Sequence, residues 1–182
     1  MEDTRIAWAV TGAGHTLDKC MDLLLRLGGV DVYLSRAAEE VLRVYRQDAR
    51  LEASGAPIYR EKSASSPAIG RFFSGRYRLL VIAPATSNSV AKFVHGISDS
   101  LVSNLFSQAG KSRVPTVVYP TDIEAEMDSQ APRKELVKVY PRAIDLENTR
   151  KLDAFEGVRV VRSPAELERF LESETQGAFG KG

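Results

Sequence analysis

Three times in the first half of the chain, a short apolar run stops at a cluster of small, hydroxyl-bearing or glycine residues that opens a helical stripe. The runs are Arg5 to Val10 (RIAWAV), Val30 to Leu34 (VDVYL) and Tyr77 to Ala83 (YRLLVIA). Strands that are apolar along their length are covered on both faces, and a strand followed by a helix feeds a crossover rather than a hairpin. Leu17, Cys20, Met21, Leu24, Leu25 and Leu27 form the first stripe, stopped by Gly28-Gly29. Ala37, Ala38, Val41, Leu42 and Tyr45 form the second, and Val90, Phe93 and Val94 the third, stopped at Gly96. A helix over Ser100 to Ala109, strands at Thr116 to Tyr119 and Val158 to Val161, and a helix from Pro164 through Leu171 complete the reading. This alternation predicts an α/β fold: a three-layer, Rossmann-like, doubly wound parallel sheet with right-handed crossovers. The length fits one domain over residues 1–175 with a flexible tail at 176–182. The stretch from Glu52 to Gly75 reads as loop, with one helical turn after Pro67.

In open parallel sheets, ligands bind beyond the carboxyl ends of the strands. Three loops are therefore candidates: Gly12, Ala13, Gly14 and His15; Ser35, Arg36 and Ala37; and Pro84, Ala85, Thr86, Ser87 and Asn88. All lead into helix N-termini, whose free N–H groups and dipole favour an anion. Each alone is also what an ordinary turn or N-cap looks like. Together they describe a pocket for a phosphate and a ring. Gly12-Ala13-Gly14 supplies the first two glycines of a dinucleotide fingerprint, but Leu17 stands at the third position. Ser35 stands where an NAD site uses an acidic residue, while Arg36 leaves a reading as an NADP 2′-phosphate site open.

Charge and cysteine content narrow the chemistry. Lys and Arg total 25 against 24 Asp and Glu, so a net charge of +1 gives no field to gather nucleic acid or an anionic membrane. No apolar run approaches the roughly 20 residues of a membrane span, and the acidic start is unlike a targeting peptide, which predicts a cytoplasmic protein. One cysteine, Cys20, excludes an internal disulfide framework and a protein-ligated iron–sulfur cluster. No metal site is read in the sequence. Electrons, if handled, need an organic cofactor.

The segment Ala83-Pro84-Ala85-Thr86-Ser87-Asn88-Ser89-Val90-Ala91-Lys92, followed by Gly96-Ile97-Ser98-Asp99-Ser100-Leu101, closely resembles the signature of the flavin-containing cysteine-decarboxylase superfamily. The first loop and Ser35-Arg36-Ala37 match the mononucleotide loops of that family, so the resemblance covers most of the first 120 residues. It implies a flavodoxin-like strand order, FMN as cofactor, and a homo-oligomer built from trimers. It places Gly12, Ala13, Gly14 and Ser35 around the phosphate and ribityl chain, and Thr86, Ser87, Asn88, Ser98 and Asp99 near the isoalloxazine ring. Decarboxylating members carry a His before the third strand and a Pro-x-Met-Asn-x-x-Met segment after the fourth; neither is present here. The opening Ala7-Trp8-Ala9-Val10-Thr11-Gly12-Ala13-Gly14-His15 looks instead like the archaeoflavoprotein and dihydromethanopterin reductase branch. That branch implies ping-pong hydride transfer through FMN to a pterin acceptor, with NAD(P)H or a separate redox carrier as donor. An electron-transfer flavoprotein serving a protein partner and a prenyl-transferring relative are the alternatives.

Arg133, Lys134, Lys138 and Arg142 either grip an anionic pterin or form a solvated basic helix face. His15 either bonds the phosphate or is a plain surface histidine, and His95 is a C-terminal partner of its helix dipole. Cys20, Trp8 and Phe93 are core residues. Tyr59, Phe72 and Phe73 either cover a bound ring or pack under the long loop. No catalytic residue is singled out.

Overall fold

The fold is described from a computed structural model over residues 4–62, 67–133 and 135–179. Six strands form one sheet: β1 (Arg5–Val10), β2 (Val30–Leu34), β3 (Ile58–Arg60), β4 (Tyr77–Ala85), β5 (Thr116–Pro120) and β8 (Val158–Val160). Their order is β3-β2-β1-β4-β5-β8, and every pairing is parallel. The five strands legible in the sequence stand in the flavodoxin-like order. The short edge strand β3, hidden in the stretch read as loop, extends this to the order of a dinucleotide-binding fold.

The helices are α1 (Leu17–Arg26), α2 (Arg36–Val44), α3 (Asp48–Ala53), α4 (Ser87–Val94), α5 (Leu101–Lys111), α6 (Ala143–Leu152) and α7 (Pro164–Phe179). Side chains of a strand alternate between faces, and β1 divides accordingly. Ile6, Trp8 and Val10 join the stripes of α1, α2 and α7 in one core, while Ala7 and Ala9 face a second core with Val90, Phe93, Leu101 and Leu105 of α4 and α5. The alanines let the second helix layer approach closely, and the larger residues fill the first. Trp8 is fully buried, and its indole N–H donates to the Ala83 carbonyl at 2.9 Å. Cys20 is buried too, and desolvation pushes its thiol up to about 12.

Several elements depart from the sequence reading. The chain between β5 and β8, without assigned elements in the sequence, holds an antiparallel pair, β6 (Met127–Gln130) and β7 (Leu136–Val139), and then α6. Arg133 and Lys138 therefore lie on a hairpin, not on a basic helix face, and Lys134 lies outside the described residues. Helix α7 runs on to Phe179, so it takes in the start of the segment read as a tail; residues 180–182 lie outside the described part. A 3₁₀ segment at Pro67–Phe72 stands where one helical turn was expected. No helix among the described residues is long and apolar enough to cross a membrane.

Candidate functional site

The chain reverses its winding direction between β1 and β4, which splays the crossover helices apart and leaves a crevice beyond the carboxyl ends of these strands. Backbone bonds knit that edge together. Thr11, buried just after β1, donates its hydroxyl to the Pro84 carbonyl at 2.9 Å and accepts the Thr86 N–H at 2.9 Å. The Ala85 carbonyl in turn accepts from Thr121 N–H at 3.0 Å, tying in the end of β5. Pro84 and Ala85 are buried inside β4 and line neither of the two clefts beside it; their carbonyls belong to this scaffold.

Two clefts flank this knot. The larger, about 580 Å³, is lined by Thr11, Gly12, Ser35, Arg36, Ala37, Thr86, Asn88, Lys92 and Asp99, with Glu40, Glu61, Ser89 and Ser100. Three helices aim their N-termini at it. Ser35 caps α2 through the Ala38 N–H, Thr86 caps α4 through the Ser89 N–H, and Ser100 caps α5 through the Ser103 N–H. Each cap satisfies one donor of its first turn. Gly12 has a steric reason: a Cβ there would lie 2.6 Å from Ala37 Cβ, so the first loop meets α2 only because the side chain is absent. Lys92 holds Asp99 at 2.7 Å, and that hydrogen bond keeps the Asp99 carboxyl below its usual value. Ser98 is exposed and lines neither cleft.

The smaller cleft, about 250 Å³, is lined by Ala13, Gly14, His15, Thr86 and Ser87 with Thr121, Asp122 and the hairpin residues Met127, Ser129 and Val139. Its wall is braced by Tyr45. A Cβ on Gly14 would lie 2.7 Å from Tyr45 Cε2, and the Tyr45 hydroxyl donates to the Gln130 carbonyl at 3.1 Å. Gly14 thus makes room for a tyrosine that fastens the hairpin to α2. His15 sits in this wall with Nδ1 buried and unpartnered among the described residues. Burial lowers its pKa and Asp122 pulls it back up, so the imidazole is neutral near pH 7.

The structure thus divides the sequence candidates. Gly12, Ser35, Arg36, Ala37, Asn88 and Asp99 gather at the large cleft, Ala13, Gly14, His15 and Ser87 at the small one, and Thr86 between them. Among the late basic residues, Lys138 pairs with Glu126 at 2.7 Å and Arg142 with Asp145 at 2.8 Å, so each already has a carboxylate. Of the loop aromatics, Tyr59 stacks on Tyr33 at 4.9 Å and Phe72 is buried, which makes both packing residues, while Phe73 is exposed. His95 is the C-cap of α4. Glu61 and Tyr45 were missed as site residues. Glu61 follows a strand too short to read, and Tyr45 has the spacing of any apolar residue in a helical stripe.

Comparison with known proteins agrees with this architecture. A family model described as Flavoprotein matches residues 1–181. The crystal structure of Burkholderia xenovorans DmrB in complex with FMN, described as a cubic protein cage for redox transfer, superposes with a TM-score of 0.89 at 43% identity, covering 97% of this chain and 98% of that one. The dihydromethanopterin reductase (acceptor) of Methanosarcina mazei is 47% identical over 145 residues, which is 72% of this chain but only 61% of that protein. An uncharacterized protein of Methanocaldococcus jannaschii is 32% identical over 174 residues, 92% of this chain and 94% of the relative. With a matching parallel sheet, a crevice at its switch point and a family match along nearly its whole length, the chain belongs to the flavoprotein family.

Proposed function

We propose that this chain binds FMN in the larger cleft and works as a dihydromethanopterin reductase, with FMN carrying the hydride between a donor and a pterin acceptor. The observation behind it is the convergence of the α2, α4 and α5 N-termini on one crevice lined by short polar side chains. Such a crevice fits a phosphomonoester and a flat ring: N–H groups and hydroxyls meet the anion, and small side chains admit the ring close to the backbone. Ser35, Arg36 and Ala37 would hold the phosphate, Gly12 and Thr86 the ribityl chain, and Asn88 and Asp99 the ring edge. FMN, when bound, supplies hydride-transfer chemistry that no side chain offers.

The smaller cleft shares Thr86 with the larger and is roofed by the β6–β7 hairpin, which suits it to the acceptor. A neutral His15 facing Asp122 can bond a pterin amide without adding charge. Kinship with DmrB, a cage, supports a homo-oligomer. The trimer basis remains part of the proposal, as does the donor, NAD(P)H or a redox carrier. The test is to reduce the FMN-loaded protein anaerobically and mix it with dihydromethanopterin. Rapid flavin reoxidation with one tetrahydromethanopterin formed per flavin, and parallel-line ping-pong kinetics at steady state, are expected. Flavin that stays reduced until a protein carrier is added would instead establish an electron-transfer role.

A further inference from the structure

The larger cleft already contains an anion of the chain's own. Glu61, one residue beyond β3, accepts the N–H of Arg36, the first residue of α2, at 2.9 Å through one carboxylate oxygen. Its other oxygen accepts the N–H of Leu101, the first residue of α5, at 2.7 Å. Two helices far apart in sequence thus spend their leading donors on one side chain. Ser35 and Ser100 cap donors further along the first turns, so the two groups that Glu61 takes are those most directly available to an incoming anion. The Glu61 backbone is fixed, its N–H donating to the Leu34 carbonyl at 3.1 Å, but the carboxylate sits at the end of a flexible stem. A change of rotamer is enough to vacate both donors.

A phosphate brought into this cleft meets both an occupied pair of donors and a like charge, with Glu40 and Asp99 adding to it. Resting on the FMN reading above, we propose that Glu61 is an internal competitor: in the free protein it occupies the α2 and α5 N-termini, and it gives them up to the FMN phosphate. The residue then sets how tightly the cofactor is held and penalises ligands by their phosphate rather than their ring. A plain strut would act with the opposite sign, because removing a strut loosens the cleft and weakens binding, whereas removing a competitor tightens it.

The experiment is a fluorescence-quenching titration of flavin-free wild type and Glu61→Gln with FMN and, separately, with riboflavin, which has the ring and no phosphate. Glu61→Gln is expected to lower the FMN dissociation constant about tenfold while leaving riboflavin within about twofold. Thermal melts give another readout: the variant should melt lower than wild type when flavin-free and together with it when saturated with FMN. Should Glu61→Gln fold poorly, Glu61→Asp, whose stem is one methylene too short to bring its carboxylate to both N–H groups, must shift FMN affinity in the same direction by a smaller factor. Equal or weaker FMN binding by the variants, or a riboflavin shift as large as that for FMN, overturns the role of Glu61 alone. Failure of wild type and variants alike to bind FMN overturns the cofactor reading, and this one with it.

Discussion

At the amino end of the sheet, Asp31 of β2 is wholly buried and accepts from Arg5 at 2.6 Å, Arg76 at 3.0 Å and the Tyr77 hydroxyl at 2.7 Å. Arg71 lies 3.6 Å away, and the Tyr33 and Tyr77 hydroxyls meet at 2.6 Å. At the carboxyl end, Glu40, Glu61 and Asp99 face an open crevice. Parallel topology explains the contrast. Strands β1, β2, β4 and β8 run into α1, α2, α4 and α7, so helix N-termini with their partial positive charge collect at the carboxyl end, and C-termini collect at the other. Arginines suit the amino end and anions the carboxyl end. One end has spent its charges on itself; at the other, Glu61 holds the leading donors of α2 and α5 beside a space that a ligand can fill. Electrostatics alone therefore predicts which end binds and which end holds.

The largest effect expected from breaking that division is at the holding end. Asp31→Ala should cost about 2–3 kcal/mol in urea unfolding, less than for a fully enclosed pair, because Arg5, Arg71 and Arg76 keep 27%, 36% and 41% of their side-chain surface exposed. FMN affinity of the folded variant should not change. The same carboxylate sets an acid limit. Burial alone would raise its pKa, but hydrogen bonds from Tyr77, Arg76 and Arg5 outweigh it and hold it below the ordinary 3.8. With the folded value lowered, its contribution is complete above about pH 4 and is lost as pH falls through the lowered pKa, which an acid-unfolding series checks.

A smaller effect is expected at the binding end. Gly12→Ala must push the first loop off Ala37, at about 1–2 kcal/mol in stability, and should weaken FMN binding by more than the stability loss alone explains. Titration of the folded fraction separates the two. Equal loss of FMN affinity in Asp31→Ala and Gly12→Ala would erase the distinction between the ends.

What was legible in the sequence followed this same division. Strands Arg5–Val10, Val30–Leu34 and Tyr77–Ala85 are apolar because both faces are covered, so their runs and the loops after them could be read directly. That placed Gly12, Ser35 and Thr86 at one edge without a structure. The three residues of β3 and the exposed four-residue strands of the hairpin have no such signature, since neither is enclosed on two faces. Glu61 and the roof of the small cleft were lost with them. A second reason for the glycines was hidden as well: Gly12 and Gly14 line the two clefts, and their missing side chains also make room for Ala37 and Tyr45. Contacts between distant residues leave no local pattern.

The central claim, that the carboxyl-end crevice is an FMN site, is tested most directly at Ser35. Asp is as good an N-cap as Ser, so Ser35→Asp keeps α2 intact while adding a charge beside the proposed phosphate. The measurement is flavin absorbance of purified protein after reconstitution with FMN, alongside an unfolding curve. Wild type is expected to hold one FMN per chain and Ser35→Asp almost none, at unchanged stability. A wild type that stays colourless after reconstitution, or a Ser35→Asp variant with full FMN occupancy, would contradict the account.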